Sequence, residues 1–329
     1  MPIVSIQKED KKMNDVITIG DAMIAFNPSR TGPMRFVESF HRNIGGAELN
    51  VAIGCSRLGL NAGWISCLGN DPFGKYIRNF ARGEGIDTSK VRLVDGYSTS
   101  LNFKEIMEDG SVSTFYYRDN SPLLALNPTT DLVDEYFKNA KVFHFTGIFP
   151  AVTEENIEIT KKALELAKKH GLTVSFDPNI RLKLWSKERA REVLRSFLPY
   201  VDILLAGIDE MEIILGTTNV NDIIKKCESY GIRHVILKRG SNGAIGYHEG
   251  ELIELPAVEN TNVVDTVGAG DGFDAGYLYS FLQGWTLKRS LQFANTIGSM
   301  VVEVMGDNEG LPYLEDVEIK MGKIERVDR

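Results

Sequence analysis

Asp265-Thr266-Val267-Gly268-Ala269-Gly270-Asp271-Gly272-Phe273-Asp274-Ala275-Gly276 is the most informative segment of the chain, because small residues precede a carboxylate where a loop is predicted to become a helix. Glycine allows a backbone to approach a ligand closely, and the unpaired N–H groups at a helix start suit an anion. The Asp271 carboxylate beside them is suited to accept a proton from an attacking hydroxyl. An anion cradle next to a base is what phosphoryl transfer needs, since that reaction depends on positioning and charge stabilisation. The alternative is a glycine-rich turn whose Asp271 only complements the helix dipole.

The composition sets limits on the class of protein. The chain has 329 residues, 43% apolar and 25% charged, as in ordinary folded domains. Its formal net charge of −8 argues against a nucleic-acid or membrane partner, so an anionic substrate needs a local cluster of Arg or Lys. The chain has three cysteines in no Cys-x-x-Cys pattern and no signal-peptide or membrane-spanning run, which predicts a cytoplasmic protein. We expect residues 1–14 to form a polar tail and residues 15–329 a single domain.

Strands and helices are predicted to alternate along most of the chain. Strands are predicted at residues 16–21, 63–68, 141–145, 173–176, 203–206 and 234–238, and helices at residues 45–60, 154–170, 187–197, 208–215 and 220–230. This alternation favours a parallel sheet covered on both faces, with ligands bound beyond the carboxyl ends of its strands. The extended runs 101–107 and 112–117 flank Asp109-Gly110, which predicts a hairpin.

Other nucleotide-binding and metal-binding signatures are absent from the sequence. There is no Gly-x4-Gly-Lys-Ser/Thr loop, no protein-kinase motif, and no Gly-x-Gly-x-x-Gly after the first strand, which disfavours a nicotinamide-dependent dehydrogenase. The five histidines show no spacing typical of zinc ligands.

A second segment makes the first one much more specific. The run from Gly45-Gly46-Ala47-Glu48-Leu49-Asn50 through Gly69-Asn70-Asp71-Pro72-Phe73-Gly74, followed by residues 265–278, resembles the two signatures of ribokinase-like (PfkB) carbohydrate kinases. The resemblance extends over nearly everything after Asn14 and implies an α/β three-layer sandwich with a mostly parallel central sheet plus a small β lid. The lid is expected at about residues 22–44 and 98–122. ATP and Mg²⁺ are the implied cofactors, with a monovalent cation left open, and the implied reaction transfers the γ-phosphate to a sugar hydroxyl.

The same resemblance assigns roles to individual residues. Asp271 would be the base, and the backbone N–H groups of Gly268, Ala269 and Gly270 would hold the charge on the transferring phosphoryl group. The positions that match sugar ligands are Asp21, Gly45, Gly46 and Asn50. The positions that match the nucleotide side are Asn179, Gly207, Lys238, Gly240, Ser241, Gly243, Gly268, Gly270 and Asn295. Asp21 as a turn cap and Lys238 as an ordinary solvated lysine remain the alternatives.

One position departs from the family pattern. Relatives usually carry Asn-x-x-Glu after this strand, whereas this chain reads Gly207-Ile208-Asp209-Glu210. Glu210 is therefore predicted to support Mg²⁺ through water, and the loss of the Asn leaves the affinity for Mg²⁺ open, although Mg²⁺ keeps several waters in most sites.

The nature of the sugar is predicted from two further segments. Tyr116-Tyr117-Arg118 and Asp177-Pro178-Asn179-Ile180-Arg181 resemble segments of 2-keto-3-deoxygluconate kinases, where a tyrosine and arginines meet an open-chain acid sugar. A carboxylate substrate is well matched by a guanidinium group. Tyr116, Arg118 and Arg181 are the predicted contacts, with Asp307 as a substrate-side acid. The alternatives are a lid-surface salt bridge for Arg118, an ATP contact for Arg181 and a plain loop carboxylate for Asp307.

The sequence thus predicts an ATP-dependent sugar kinase that phosphorylates the terminal hydroxyl of 2-keto-3-deoxy-D-gluconate. A fructokinase or other neutral-sugar kinase is the alternative within the same chemistry. A catalytically silent sugar-binding regulator is the alternative from another class, and the intact Asp271 and glycine run argue against it. Pairing of exposed lid edges into a homo-oligomer is a further expectation.

Overall fold

The computed structural model describes residues 13–260 and 262–324. Its strands, in chain order, are β1 (Asn14–Ile19), β2 (Met23–Pro28), β3 (Phe40–Gly45), β4 (Ala62–Gly69), β5 (Asp87–Val94), β6 (Ser100–Ile106), β7 (Val112–Tyr117), β8 (Ala140–Thr146), β9 (Thr173–Asp177), β10 (Ile203–Gly207), β11 (His234–Lys238), β12 (Ala244–His248) and β13 (Glu251–Leu255). Its α-helices are α1 (Ala47–Arg57), α2 (Pro72–Gly83), α3 (Asp134–Lys138), α4 (Ile148–Val152), α5 (Glu154–Lys169), α6 (Lys187–Phe197), α7 (Ile208–Leu215), α8 (Val220–Ser229), α9 (Ala269–Leu282), α10 (Leu287–Val301) and α11 (Leu314–Lys320).

A nine-stranded sheet in the order β13-β12-β11-β10-β9-β8-β1-β4-β5 separates two apolar cores. All pairs from β11 to β5 are parallel, and only the β11–β12 and β12–β13 pairs at one edge are antiparallel. Successive residues of a strand point to opposite faces, so Ile17 of β1 packs into one core and Val16 into the other. Phe143 and Val142 of β8 divide in the same way. The predicted three-layer α/β fold with a mostly parallel sheet is confirmed.

A second, four-stranded sheet in the order β3-β2-β6-β7 is called the lid sheet here. It contains two antiparallel pairs joined by a parallel β2–β6 pair. The predicted hairpin between β6 and β7 is confirmed: the Met107 N–H donates to the Ser111 carbonyl at 2.9 Å, and Gly110 has φ +81° in the turn. The small β lid predicted from the sequence is therefore present.

Several element limits differ from the predictions for identifiable reasons. The first strand ends at Ile19 rather than Asp21, and the helix predicted from Gly45 begins at Ala47, because Gly46 has φ +148°, far from helical values. Of the predicted tail, residues 1–12 lie outside the described residues, whereas Asn14 is buried in β1.

Strands β5, β12 and β13 and the helix α2 were not predicted from the sequence; β5 and β13 are the two edges of the large sheet. In β13 only alternate residues are even partly covered, so its short pattern carries little hydrophobic signal. Among the described residues, no helix combines the length and the apolar character that crossing a membrane requires. All three cysteines are buried and free.

Candidate active site

The first turn of α9 forms the centre of the candidate site. Gly268 precedes the helix with φ +78°, a left-handed conformation that favours glycine. A Cβ atom at this position would also collide with the carbonyl oxygen of Asp307. The first N–H groups of a helix have no partner within it, so this turn has the geometry of an anion cradle.

Asp271 lies on this turn and meets a residue from the other signature. The Asn50 Nδ2 donates to the Asp271 Oδ2 at 2.8 Å, although 221 positions separate the two residues in the chain. Burial raises the pKa of Asp271 to about 7, against the opposing effects of the Asn50 hydrogen bond and of Lys238 and Arg181. A carboxylate whose pKa lies near neutrality is well suited to act as a general base at neutral pH.

Asp21 follows β1 and contacts the lid segments. Its Oδ2 accepts from the Ser100 hydroxyl at 3.1 Å and from the Arg118 guanidinium at 3.3 Å, both on lid segments. A Cβ on Gly46 would lie 2.5 Å from the Asp21 carbonyl oxygen, so the predicted diglycine packs against the backbone of Asp21. Burial raises the pKa of Asp21, while Arg118 acts in the opposite direction. The structure thus brings the predicted residues Asp21, Gly46 and Arg118 together.

Four buried polar atoms on Asp21 and the side chains around it have no hydrogen-bond partner among the described residues. They are the Asp21 Oδ1, the Asn50 Oδ1, the Asn102 Oδ1 and the Arg118 Nε. Buried polar atoms in folded proteins are nearly always hydrogen-bonded, so a polar ligand with several hydroxyl or carboxylate groups would complete this set. Asn102 was not predicted from the sequence.

Asp307 lies on the other side of the diglycine. A Cβ on Gly45 would collide with the Asp307 carboxylate, and the Lys104 Nζ lies 3.3 Å from the Asp307 Oδ1. Burial raises the pKa of Asp307, and the neighbouring Lys104 partly offsets this effect. The structure therefore places the predicted Asp307 and Gly45 in contact and adds Lys104, which the sequence analysis did not identify.

Two predicted contact residues are more open to solvent. The Tyr116 side chain is exposed on β7, and the Arg118 Cζ lies 5.9 Å from the centroid of its ring. Arg181 is also exposed, and no carboxylate of the described residues lies within ion-pair distance of it. Its charge nevertheless lowers the pKa of Asp271. The Arg181 guanidinium is therefore free for an incoming anion.

A cavity of about 710 Å³ lies beside α9 and is called the α9 cavity here. It is lined by six of the predicted nucleotide-side residues: Lys238, Gly240, Ser241, Gly243, Gly270 and Asn295. Much of the remaining wall is apolar, with contributions from Val258, Val263 and Phe273. The predicted Asn179, Gly207 and Gly268 do not line this cavity. Asn179 instead follows β9 with φ +36°, and its N–H donates to the Asp177 Oδ1 at 3.1 Å.

Lys238 connects the α9 cavity to a group of buried acids. Its Nζ lies 3.0 Å from the Asp177 Oδ2 and 3.1 Å from the Asp274 Oδ1, and Asp274 is fully buried. Burial lowers the pKa of Lys238, but these carboxylates outweigh it and raise the pKa overall. Asp274 lies in the segment 265–276, but no role was predicted for it from the sequence.

Glu210 is held by backbone groups at the start of α7. Its Oε1 accepts from the Ile180 N–H and its Oε2 from the Gly207 N–H, each at 2.7 Å. Among the described residues, no three His, Cys, Asp or Glu side chains are grouped so as to hold a metal ion. A Mg²⁺ ion that is bound mainly through phosphates and waters fits this arrangement, and the water-mediated role of Glu210 stays a prediction.

Glu48 is a further buried carboxyl group, which lies in the Gly45–Asn50 motif but had no predicted role. It follows the diglycine on α1, and its Oε1 accepts from the Thr146 hydroxyl at 2.6 Å. Burial, with smaller contributions from the nearby Asp271 and Asp21, raises the pKa of Glu48 to about 8. The signal in the sequence is a carboxylate in a helix whose residues are mostly apolar.

Comparisons with known proteins agree with this architecture. The family model described as pfkB family carbohydrate kinase matches residues 13–314. The 2-dehydro-3-deoxygluconokinase of Bacillus subtilis is 36% identical over 306 residues, covering 92% of this chain and 93% of the relative. The 5-dehydro-2-deoxygluconokinase of Shouchella clausii is 30% identical over 330 residues, covering 96% and 98%. A structure of a putative ribokinase II from E. coli in complex with ATP and Mg²⁺ superposes with a TM-score of 0.88 at 26% identity, over 95% of this chain and all of the other.

Proposed function

The chain belongs to the pfkB family of carbohydrate kinases, and on that premise we propose that it phosphorylates the terminal hydroxyl of 2-keto-3-deoxy-D-gluconate (2-dehydro-3-deoxygluconate), using ATP. The observation that carries the choice of sugar is the buried guanidinium of Arg118, whose Nε lacks a partner among the described residues while another nitrogen is paired with Asp21. An unsatisfied guanidinium N–H is a good donor for a carboxylate. The names of both relatives specify a deoxygluconate, which is an acid sugar.

The sugar is proposed to lie between the lid sheet and the first turns of α1 and α9. Arg118 and Arg181 would orient its carboxylate, with Tyr116 at the exposed rim. The unpaired oxygens of Asp21 and Asn50 would accept from sugar hydroxyls. This arrangement would place the hydroxyl at the far end of an open-chain sugar near Asp271, which is hydrogen-bonded to Asn50.

ATP is proposed to occupy the α9 cavity, with its phosphates directed at the start of α9. The sugar oxygen attacks the γ-phosphorus, the bond from that phosphorus to the β–γ bridging oxygen breaks, and ADP leaves. The hydroxyl proton passes to the Asp271 carboxylate, while the backbone N–H groups of Gly268, Ala269 and Gly270 offset the charge on the transferring group. Mg²⁺, when bound with ATP, supplies further neutralisation of phosphate charge. Lys238 lines the cavity beside Gly270, and its ammonium, which is paired with Asp177 and Asp274, would offer its third N–H to the phosphates.

The deciding experiment measures ADP release with Mg-ATP against 2-keto-3-deoxygluconate, 5-dehydro-2-deoxygluconate, fructose and ribose. Turnover on 2-keto-3-deoxygluconate at the highest kcat/KM is the expected result. A preference for fructose or ribose would keep the kinase and discard the carboxylate pocket. Sugar binding without ADP release on every substrate would favour a non-catalytic regulator.

The Asp271→Asn variant tests the assignment of the base. We expect kcat to fall by about 10²–10⁴-fold, the usual contribution of a general base, while sugar binding measured by calorimetry persists. Because only the ionised carboxylate accepts a proton and its pKa is about 7, kcat/KM of the wild type should rise with pH up to about 7 and then level off. Near-normal turnover in Asp271→Asn would remove Asp271 from the role of base.

Three finer expectations remain predictions. Dependence on a monovalent cation would appear as lower turnover when potassium salts are replaced by tetramethylammonium salts. A homo-oligomer through the lid is supported by the exposed Val112 and Tyr117 on the edge strand β7, and analytical ultracentrifugation would detect it. Fractionation of cells would test the cytoplasmic location.

A further inference from the structure

Lys104 is a buried lysine on the lid sheet that the catalytic scheme above does not use. It lies on β6, where Ser100, Asn102 and Lys104 are buried and alternate with the partly exposed Leu101 and Phe103. Residues two apart point to the same face of a strand. The face that presents Ser100 to Asp21 is therefore the face that carries Lys104.

The Lys104 ammonium group lies near two carboxylates that are outside the lid sheet. The Nζ lies 3.3 Å from the Asp307 Oδ1 and 4.0 Å from the Asp265 Oδ2. The Lys104 and Asp307 side chains are only 10% and 13% exposed, so the pair is shielded from solvent. Losing one partner of such a pair leaves a charge without compensation.

Both carboxylates also hold the loop that leads into α9. Asp265 lies in that loop, and its Oδ1 accepts from the Val267 N–H at 3.1 Å. Its Oδ2 accepts from the Gly306 N–H at 3.3 Å, which ties the loop to the segment that carries Asp307. The Asp307 carbonyl lies directly against Gly268, where a Cβ would not fit. The Lys104 ammonium therefore lies within reach of a carboxylate on each of the two loop segments that shape the anion cradle.

We propose that Lys104 is a positioning residue: by bridging Asp265 and Asp307 from the lid, it holds the Gly268–Gly270 backbone in register for the transferring phosphoryl group. The role rests on the proposed kinase function and adds a coupling between the lid that covers the sugar and the cradle that binds the phosphate. A displacement of a catalytic group by about 1 Å can cost about 10²-fold in rate. Fixing this loop from the lid sheet would therefore affect turnover more than substrate affinity.

Lys104→Met tests this role, with Lys104→Arg as the variant that retains the charge. Lys183→Met is the matched control, because the exposed Lys183 also contacts the lid, through the Thr114 carbonyl at 3.4 Å, but lies on a different segment. We expect Lys104→Met to lower kcat by about 10–100-fold, with the KM for the sugar within about threefold. Lys104→Arg should recover at least part of this loss, and Lys183→Met should match the wild type.

Hydrogen–deuterium exchange gives a readout that needs no substrate. Peptides covering residues 265–271 should exchange at least about tenfold faster in Lys104→Met than in the wild type or Lys183→Met. Unchanged exchange in these peptides would overturn the positioning role, even if the variant lost activity. A higher KM for the acid sugar with an unchanged kcat would also overturn it, since Lys104 would then be a direct contact for the substrate carboxylate.

The test of the Lys104 role does not depend on whether the acid-sugar assignment is right. If the wild type phosphorylates only a neutral sugar, the acid-sugar assignment fails, but the kcat of the Lys104 variants is measured on that sugar with the same expectation. If the wild type phosphorylates none of the panel, the exchange experiment alone decides whether Lys104 orders the loop.

Discussion

The sugar side and the nucleotide side of the site are lined by different types of residue. Beneath the lid sheet, charged and amide side chains are buried, and the Asp21 Oδ1, Asn50 Oδ1 and Arg118 Nε lack partners among the described residues. The α9 cavity is instead lined mainly by glycines, small residues and apolar side chains. A pocket made of backbone and apolar surface recognises shape, whereas buried unpaired polar groups strongly reject a ligand that cannot satisfy them. Selectivity should therefore reside on the sugar side.

The two sides meet at the first turn of α9, which Gly268 precedes, and the variant Gly268→Ala should disturb both. Alanine is strained at φ +78°, and its Cβ would collide with the Asp307 carbonyl. The loop must move, so we expect kcat to fall by at least about 10²-fold, with weaker binding of both substrates.

Gly284→Ala is the control for this strain, because Gly284 follows the same helix with φ +66° and has open space around its Cα. This variant should lose about 1–2 kcal/mol of stability and keep its turnover. Steady-state kinetics and urea unfolding of both variants make the comparison. Wild-type turnover in Gly268→Ala would show that the cradle tolerates displacement.

Arg118→Met should separate the two sides. It removes a charge-assisted donor, which is typically worth about 1.5–3 kcal/mol, so the KM for the acid sugar should rise by about 10–100-fold. The KM for ATP should change by less than about twofold, because Arg118 does not line the α9 cavity.

Asn295→Ala is the reciprocal variant, since Asn295 lines the α9 cavity and donates to the Pro256 carbonyl at 3.1 Å. Its loss should raise the KM for ATP by a few-fold and leave the KM for the sugar unchanged. Parallel changes of both KM values in either variant would mean that the two sides are not independent.

The smallest expected effect concerns stability rather than catalysis. Glu48 lies behind the sugar side, and its pKa is raised from 4.5 to about 8 in the folded protein. Between these values the folded state binds more protons than the unfolded state, so this group makes the free energy of unfolding decrease as pH rises, by at most about 1.4 kcal/mol per pH unit. Glu48→Gln should flatten the dependence between about pH 5 and 8.

Urea unfolding at several pH values measures this slope, with the exposed Glu165→Gln as the control. Identical slopes for Glu48→Gln and the wild type would mean that Glu48 does not titrate differently on folding. Asp271 has a raised pKa as well, so part of the slope should remain in the Glu48 variant.

Much of the fold was predictable because its signals are local. The helix α6 was predicted at the residues where it occurs, 187–197, since its apolar spacing depends only on neighbouring residues. The hairpin turn at Gly110 was predicted for a similar reason. The strand β13 was not, because an edge strand has few buried positions and thus a weak pattern.

The residues of the candidate site likewise divide into those that local motifs predicted and those that they did not. Asp271 and Asn50 were predicted because both lie in recognisable motifs, and the structure joins them by a hydrogen bond. Lys104 was not, because nothing in the local pattern of β6 distinguishes a paired buried lysine from a solvated one. The role of Asp274 was missed similarly, since its partner Lys238 lies 36 positions away on another element.

The α/β fold class, the kinase family and the position of the glycine cradle could all be predicted from short segments, because helical spacing, turn residues and motif order are local properties. Which acid faces which cation depends instead on the packing of distant segments. The pairs Lys104–Asp307 and Arg118–Asp21 span 203 and 97 positions, and each depends on how the lid sheet lies over the body. Ion pairs act over a few ångströms, so they are settled only when distant segments have packed together.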